Sequence, residues 1–379
     1  MNNWEQKSLS DCCISITDGD HQPPPKSKTG VPFVTIANIN ATNHFDFSDT
    51  MFVPLEYYQK LDEKRKARKN DILYSVVGSF GIPVFIKEDK PFVFQRHIAI
   101  LRPDEHIVLP RFLYYTMLSR DFYGKADAAA IGAAQRTISL SSLRNMKIGV
   151  PPIEAQEKIV SFLSAYDNLI ENNQKQIRLL EEAARRLYKE WFVDFCFPGY
   201  ESVTITDGVP QGWRKVSLTD LLEIKYGKAH QTLESGDIPA YGSGGLIRKV
   251  KPVLYSGESV LIPRKGSLNN ILYVSGDFWT IDTMFYSVPL MLNVAKFAYL
   301  FLSGLDMNSF NIGAAVPSMT VNILDGMRVL LPTQSVLGDF ERIVSPFFER
   351  KTVLLQQIEA ATEARNRLLS VLMNENLEV

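Results

Sequence analysis

The chain has 379 residues, enough for two domains of ordinary size plus connecting helices, and its 45% hydrophobic content suffices for real cores. A formal net charge of −1 argues against a stand-alone nucleic-acid binder, unless the basic residues are segregated onto one face or a partner supplies positive field. No apolar run reaches the length of a membrane span and no signal peptide opens the chain; the three cysteines, Cys12, Cys13 and Cys196, make neither a metal-ligand spacing nor a disulfide framework, which fits a reducing, cytoplasmic compartment.

Stretches 33–39, 71–77, 81–87 and 92–101 are rich in β-branched and aromatic residues and read as strands. Gln95-Arg96-His97 interrupts the last of them with polar side chains. Residues 56–68 read as a charged helix. The six cations Lys60, Lys64, Arg65, Lys66, Arg68 and Lys69 stand there against Asp62 and Glu63, and a solvated face explains them better than a phosphate-tracking one. Pro110 opens a helix over 111–119 from the favoured first position. A short helical turn over 140–146 follows, and Val150-Pro151-Pro152 breaks the chain.

Residues 153–195 read as one long helix. Its seam is Ile159, Leu163, Tyr166, Ile170, Asn173, Ile177, Leu180, Ala184, Leu187 and Trp191, at alternating steps of four and three. At ~1.5 Å per residue this is a rod of about 60 Å, too long to hide in one domain, so the seam needs a partner. The end of the chain offers one in Phe347, Leu354, Ile358, Ala361, Leu368 and Leu372, interrupted by Lys351 and Arg365. Asn173 is costly to bury, and such a residue fixes register or partner number. A linker at Phe197-Pro198-Gly199-Tyr200 and Asp207-Gly208-Val209-Pro210 leads to a second mixed domain from about Trp213 to Leu331.

The halves repeat. Ile131-Gly132-Ala133-Ala134 recurs as Ile312-Gly313-Ala314-Ala315, an offset of 181 residues from Gly132 to Gly313. At that offset Leu143 meets Leu324, Met146 meets Met327 and Pro151 meets Pro332. Ile159-Val160-Ser161 recurs as Ile343-Val344-Ser345 after a small insertion, and Trp4, Ser8, Leu9 and Asp11 align with Trp213, Ser217, Leu218 and Asp220. Between these anchors the domains differ strongly. The plan is globule, rod, globule, rod, an α+β architecture whose rods pack as an antiparallel coiled coil with a pseudo-two-fold repeat.

The sequence holds no phosphate-binding Gly-x-x-x-x-Gly-Lys-Ser/Thr loop, no His-Glu-x-x-His, and no Asn/Asp-Pro-Pro-Tyr/Phe of the amino-methyltransferases, so it reads as non-catalytic, with no catalytic or metal-ligating residue to name. Binding signals are stronger. In the second globule Tyr241 and Ser243 lie in a Gly-rich loop, and Arg264, Lys265, Ser267, Asn269 and Asn270 surround Gly266. Arg suits guanine edges, Asn suits adenine edges, and Lys and Ser suit phosphates. In the first globule the candidates are His21, Lys26, Lys28, Asn38, Asn40, Ser79 and Arg96, with Gly78-Ser79 standing where Gly266-Ser267 stand in the second. An ordinary turn with solvated charges is the competing reading of each loop.

The stretch 131–195 resembles the conserved region of specificity subunits of type I restriction–modification systems. The residues that carry the resemblance are Gly132-Ala133-Ala134, Ile138-Ser139-Leu140 with Leu143, Pro151-Pro152-Ile153-Glu154-Ala155-Gln156, and Tyr188-Lys189-Glu190-Trp191-Phe192-Val193-Asp194-Phe195. The second half follows the pattern more loosely, with Thr333-Gln334-Ser335 after Pro332. The resemblance implies two target recognition domains, 1–150 and 198–332, each reading half of a split site in double-stranded DNA. It implies helical regions at 151–197 and 333–379 that set the gap and dock two methyltransferase subunits. Motor–nuclease restriction subunits would complete the enzyme. S-adenosylmethionine, ATP and magnesium would belong to those partners. The alternative is a coiled-coil scaffold that binds other proteins.

Overall fold

The computed structural model describes residues 4–40, 43–48, 50–132, 136–313 and 315–373. Ala133, Ala134 and Ala314 of the repeated motif lie outside the described residues. The chain forms two compact units, Met1–Glu171 with Ile358–Val379, and Asn172–Gln357. Each of the two long helices is divided between the units: Ile159, Leu163, Leu369 and Leu372 join one core, and Ala184, Trp191, Phe340 and Phe348 join the other.

The first unit begins with β1 (Glu5–Ser8) and a one-turn helix α1 (Leu9–Cys12), started by a capping box between Ser8 and Asp11. Then come β2 (Cys13–Asp18), β3 (Val31–Val34), β4 (Met51–Val53), α2 (Leu55–Lys60), β5 (Ile72–Ser75), β6 (Pro83–Phe85), β7 (Val93–Phe94) and β8 (Ile98–Pro103). Helices α3 (Pro110–Leu118), α4 (Arg120–Ala129) and α5 (Leu140–Asn145) precede β9 (Lys147–Val150) and the long α6 (Ile153–Phe192). The main sheet has the order β2-β8-β5-β6, a second sheet β4-β3-β7, and β1 pairs with β9. All four residues of the inner strand β5 are buried, Ser75 among them, as in a strand covered on both faces. Phe112, Tyr115 and Met117 of α3 cover this sheet, and Ile159, Leu163, Leu369 and Leu372 of the long helices join the same core.

The second unit repeats this plan. After β10 (Ile205–Thr206) and β11 (Val209–Pro210) come β12 (Arg214–Ser217), β13 (Leu222–Tyr226), β14 (Ile238–Gly242), β15 (Gly245–Val250), β16 (Tyr255–Ser256), β17 (Ser259–Pro263), β18 (Leu272–Val274), β19 (Asp277–Thr280) and β20 (Met284–Pro289). Helices α7 (Ala295–Ser303) and α8 (Val321–Gly326), β21 (Arg328–Leu331) and α9 (Gln334–Leu372) complete it. Its sheets are β13-β20-β17-β18, β15-β14-β19-β16, β12-β21 and the small pair β10-β11. Strand for strand this is the order of the first unit with β16 and the β10-β11 pair added, and β14 runs parallel to β19 as β3 does to β7. Globules that differ strongly in sequence therefore share one topology.

The long helices pair antiparallel in both units. In the first, the Arg365 Nη1 lies 2.8 Å from Asp167 Oδ1. In the second, the Lys351 Nζ lies 2.7 Å from Glu181 Oε1, and Trp191 packs on Phe340 with ring centroids 5.8 Å apart. The two cations that interrupt the α9 seam are thus matched by carboxylates of α6. Ile159, Leu163, Ile170, Ala184, Trp191, Leu354, Ala361 and Leu372 are buried as the 3–4 spacing predicts; Tyr166, Ile177, Leu180, Leu187 and Ile358 are half-buried. Phe347 and Leu368 are half-buried too, and their neighbours Phe348 and Leu369 go fully inside. The shift arises because α9 also meets its globules: Phe348 packs edge-on against Tyr273 and Tyr299, and Leu369 joins the core under α3.

Other expectations are corrected at element ends. The helix predicted over 56–68 stops at Lys60, because Leu61 turns extended and Asp62 caps a new 3-10 turn, Glu63–Arg65. The strand predicted over 33–39 stops at Val34, where Thr35 and Asn38 form a capping box around a 3-10 turn. The stretch 92–101 is two strands, with the Ile98 amide donating to the Gln95 carbonyl at 3.0 Å to close a turn between them. The rod ends at Phe192, and Phe195 adopts a left-handed conformation with φ 59°.

Candidate nucleic-acid interface

In the first unit four separate segments are stitched into one rim by backbone hydrogen bonds. The Gly19 amide donates to the Ile98 carbonyl at 3.0 Å and the Asp20 amide to the Phe94 carbonyl at 2.8 Å, which ties the end of β2 to the break between β7 and β8. The Val76 amide donates to the His97 carbonyl at 2.9 Å, so the loop after β5 joins the same break. The Gly78 amide donates to the Arg136 carbonyl at 3.0 Å and the Ile138 amide to the Val76 carbonyl at 2.9 Å, which adds the segment of the repeated motif. Glycine is required at position 19, since a Cβ there would collide with the Phe94 and Gln95 carbonyls.

The second unit has the same network, bond for bond. Gly227 donates to Met284 at 3.0 Å, Lys228 to Thr280 at 2.9 Å, Arg264 to Thr283 at 2.8 Å, Gly266 to Pro317 at 2.9 Å and Met319 to Arg264 at 2.9 Å, all through backbone groups. A Cβ at Gly227 would collide with the Ile281 carbonyl, the counterpart of the collision at Gly19. Gly78 and Gly266 both take left-handed φ, 72° and 88°. The correspondence read from Gly78-Ser79 and Gly266-Ser267 therefore holds in backbone geometry.

What the two rims present is different. Asp18, Asp20 and His21 in the first stand where Tyr226, Lys228 and Ala229 stand in the second; Arg96 stands where Asp282 does, Val76 and Val77 where Arg264 and Lys265 do, and Arg136 where Pro317 does. In the first rim His21 Nε2 lies 2.6 Å from Asp18 Oδ2, and Arg65 lies 3.8 Å from the other oxygen. The Tyr57 hydroxyl donates to Asp20; burial and that carboxylate push the phenol up to about 12. Arg96 and Ser79 are exposed on the rim. Lys26 and Lys28 are exposed beside the bridge from Ser27 to Phe52, on the smaller sheet.

In the second rim the Arg264 guanidinium lies 5.3 Å from the Tyr226 ring centre, and its Nη1 donates to the Asp282 carbonyl at 3.1 Å. Lys265 and Ser267 point outward from the Gly266 turn, and Lys265 bridges to Ser318. The loop of Tyr241 and Ser243 is joined to this turn by the Asn270 Nδ2, which donates to the Ser243 carbonyl at 2.8 Å. The Tyr241 ring is half-buried, and burial raises its phenol above the usual range.

Several candidate amides are engaged internally. Asn38 caps its own 3-10 turn by accepting the Thr35 amide at 2.8 Å, and Asn40 accepts the His44 amide at 3.0 Å. Asn269 is held between Asp306 and the Asn308 amide, each at 3.2 Å. Asn38, Asn269 and Asn270 thus help to shape loops, a use that short amide side chains share with base reading and that composition alone does not separate. Arg136 and Lys228 are rim residues outside the sequence-derived candidates. Arg136 follows the repeated Ile131-Gly132-Ala133-Ala134 motif by two residues, which is the signal that could have found it, and it stands with its guanidinium 5.7 Å from the Phe80 ring centre and 3.2 Å from Asp127 Oδ1. Among the described residues no group of three His, Cys, Asp or Glu side chains could hold a metal ion, and no helix is long and apolar enough to cross a membrane.

A family model described as the type I restriction modification DNA specificity domain matches residues 1–182 and 210–362. The type I restriction enzyme MjaIX specificity subunit of Methanocaldococcus jannaschii is 27% identical over 411 residues, covering 100% of this chain and 94% of that protein. The HindI specificity subunit of Haemophilus influenzae is 27% identical over 216 residues, 55% of this chain and 45% of that protein. The crystal structure of a type I restriction–modification S subunit from M. genitalium has the same fold, with a TM-score of 0.58 at 18% identity over 98% of this chain and 96% of that one.

Proposed function

The chain belongs to the type I restriction–modification DNA specificity family, and from that premise we propose that it selects the DNA sequence on which a type I enzyme acts. Each globule reads one half of a split site through its rim. The observation that carries this is the rim itself: one backbone network, built twice, that presents different side chains in each copy. A constant frame positions a reader against the duplex, and variable side chains change which base edges it accepts.

The long helices hold the two readers in register and dock two methyltransferase subunits. Restriction subunits complete the assembly. Partner subunits also enclose the DNA, which reconciles a chain of net charge −1 with a polyanionic ligand. S-adenosylmethionine, ATP and magnesium serve the partners, and this chain contributes recognition without catalysis. The test is to exchange residues 4–150 for the matching domain of a relative and map modified adenines in a host carrying the assembled enzyme. One half of the modified site changes and the other stays. A hybrid whose map changed in both halves would refute independent reading.

A further inference from the structure

At the offset set by Ile159 and Ile343, 184 residues, Asp167 corresponds to Lys351 and Glu181 corresponds to Arg365. The Asp167–Arg365 pair of the first unit and the Glu181–Lys351 pair of the second are therefore one contact of the repeat, formed twice with its sign reversed. The acid stands on α6 both times and the base on α9 both times. Both pairs are shielded, with side-chain exposures of 14% and 17% in the first and 28% and 24% in the second. The Tyr115 hydroxyl donates to the second oxygen of Asp167 at 2.6 Å and fixes its orientation.

We infer that this arrangement of charge decides which helix pairs with which: α6 accepts α9 and rejects the α6 of a second copy of the chain. The apolar seam cannot supply a charge penalty against a second copy: Ile159 corresponds to Ile343 and Ile170 to Leu354, and where the size differs, as for Leu163 with Phe347, Ile177 with Ala361 and Ala184 with Leu368, both residues are uncharged. Nor can the buried amide, since Asn173 corresponds to Gln357, its own partner. A pair of α6 helices in the observed register would set Asp167 of each copy against Glu181 of the other, two acid–acid contacts. A pair of α9 helices would set Lys351 against Arg365 twice. Either arrangement carries like charges at half-buried positions along the helix contact, whereas the arrangement within one chain carries none there.

The test uses four full-length chains: the natural one; Asp167→Arg with Arg365→Asp; Glu181→Lys with Lys351→Glu; and all four substitutions together. Every one of them keeps an acid facing a base within the chain. Inverting one pair alone makes α6 complementary to a second α6, and α9 to a second α9. Inverting both restores the exclusion with opposite signs. Each chain is refolded from denaturant at several concentrations, and the monomer and dimer fractions are separated by size with light scattering. Relief of two like-charge contacts raises the dimer-to-monomer ratio of each singly inverted chain by about tenfold over the natural chain and the fourfold variant. Equal dimer fractions in all four chains overturn the inference. Loss of fold in the singly inverted chains overturns it as well, because these pairs would then be fixed by something other than their complementary charge.

Discussion

Asn173, only 2% exposed in the seam of α6, donates through Nδ2 to the Gln357 Oε1 of α9 at 3.1 Å. The donor sits among apolar seam residues, and its acceptor lies on an exposed residue that water can serve as well. The pair therefore orders the helices more than it stabilises them. Asn173→Leu is expected to stabilise the chain by about 1 kcal/mol. In thermal melts that appears as a rise of roughly 2–4 °C. A fall in melting temperature would place the stabilising contribution in the amide pair itself.

Lys296 is buried at 5% exposure with its Nζ 2.5 Å from Glu258 and 2.6 Å from Glu341, and with the Tyr273 ring centre 5.2 Å away. Burial disfavours the ammonium, but its hydrogen bonds to both carboxylates prevail and hold it above the usual lysine range. Glu258, also penalised by burial, is held below the usual 4.5 by its bonds to Lys296 and Tyr273. Lys296→Met leaves two carboxylates without their cation and costs roughly 3–5 kcal/mol. A group with a depressed pKa stabilises above its unfolded pKa and loses that contribution as pH falls through the folded one. The gap between natural chain and variant in denaturant melts is therefore full at neutral pH and narrows below pH 4.5. A gap independent of pH would show that packing, not charge, accounts for the loss.

The helix pair was legible in the sequence because a 3–4 repeat of apolar residues has one physical reading when it runs for about nine turns. The matching of Lys351 and Arg365 was not, since a cation in a seam looks like a defect until the facing carboxylate is known. The rims were legible only in part. Gly78 and Gly266 stood out because glycine with polar neighbours marks a turn, but the rim joins segments as far apart as Gly19 and Arg136 through backbone bonds that no local pattern encodes. For the same reason Asn269 and Asn270 read as base contacts: their types fit that role, and only the fold shows them bonded to Asp306 and Ser243.

The rims predict separable effects. Arg136→Ala removes a rim guanidinium from the first unit and is expected to relax one base position in the first half-site, at roughly 1–3 kcal/mol. Arg264→Ala is expected to do the same in the second half-site, because the Tyr226 ring and the Asp282 carbonyl hold that guanidinium in place. Lys265→Ala is expected to weaken all sequences alike and flatten the salt dependence, as for a phosphate contact. Binding by the assembled methyltransferase to a panel of single-base variants, at several salt concentrations, separates these outcomes. If the Arg264 and Lys265 double alanine chain bound its site unchanged at every salt concentration, the loop would be merely a turn.

The last prediction concerns the gap between the half-sites, which in the proposed function is set by the helical segments. Asp167–Arg365 and Glu181–Lys351 fix the register of α6 against α9 on either side of Asn173. Four residues inserted into α6 alone, between Asn173 and Ile177, move Glu181 one turn away from Lys351 while Asp167 stays opposite Arg365. That chain loses one of the two pairs and is expected to melt lower. Matching insertions, one after Asn173 and one between Gln356 and Gln357, keep both pairs, and the seam absorbs the extra turn as a stutter. Each helix then grows by roughly 6 Å and turns by about 40°. A base pair advances the duplex by about 3.4 Å. It also turns the duplex by a similar angle, since about 10 base pairs complete a turn. The modified sites should therefore carry a gap longer by about one or two base pairs, with the bases inside each half unchanged. Sequencing modified adenines in a host that carries the doubly inserted chain reads this directly. If that chain folds and remains active but modifies sites with the original gap, the helices do not set it.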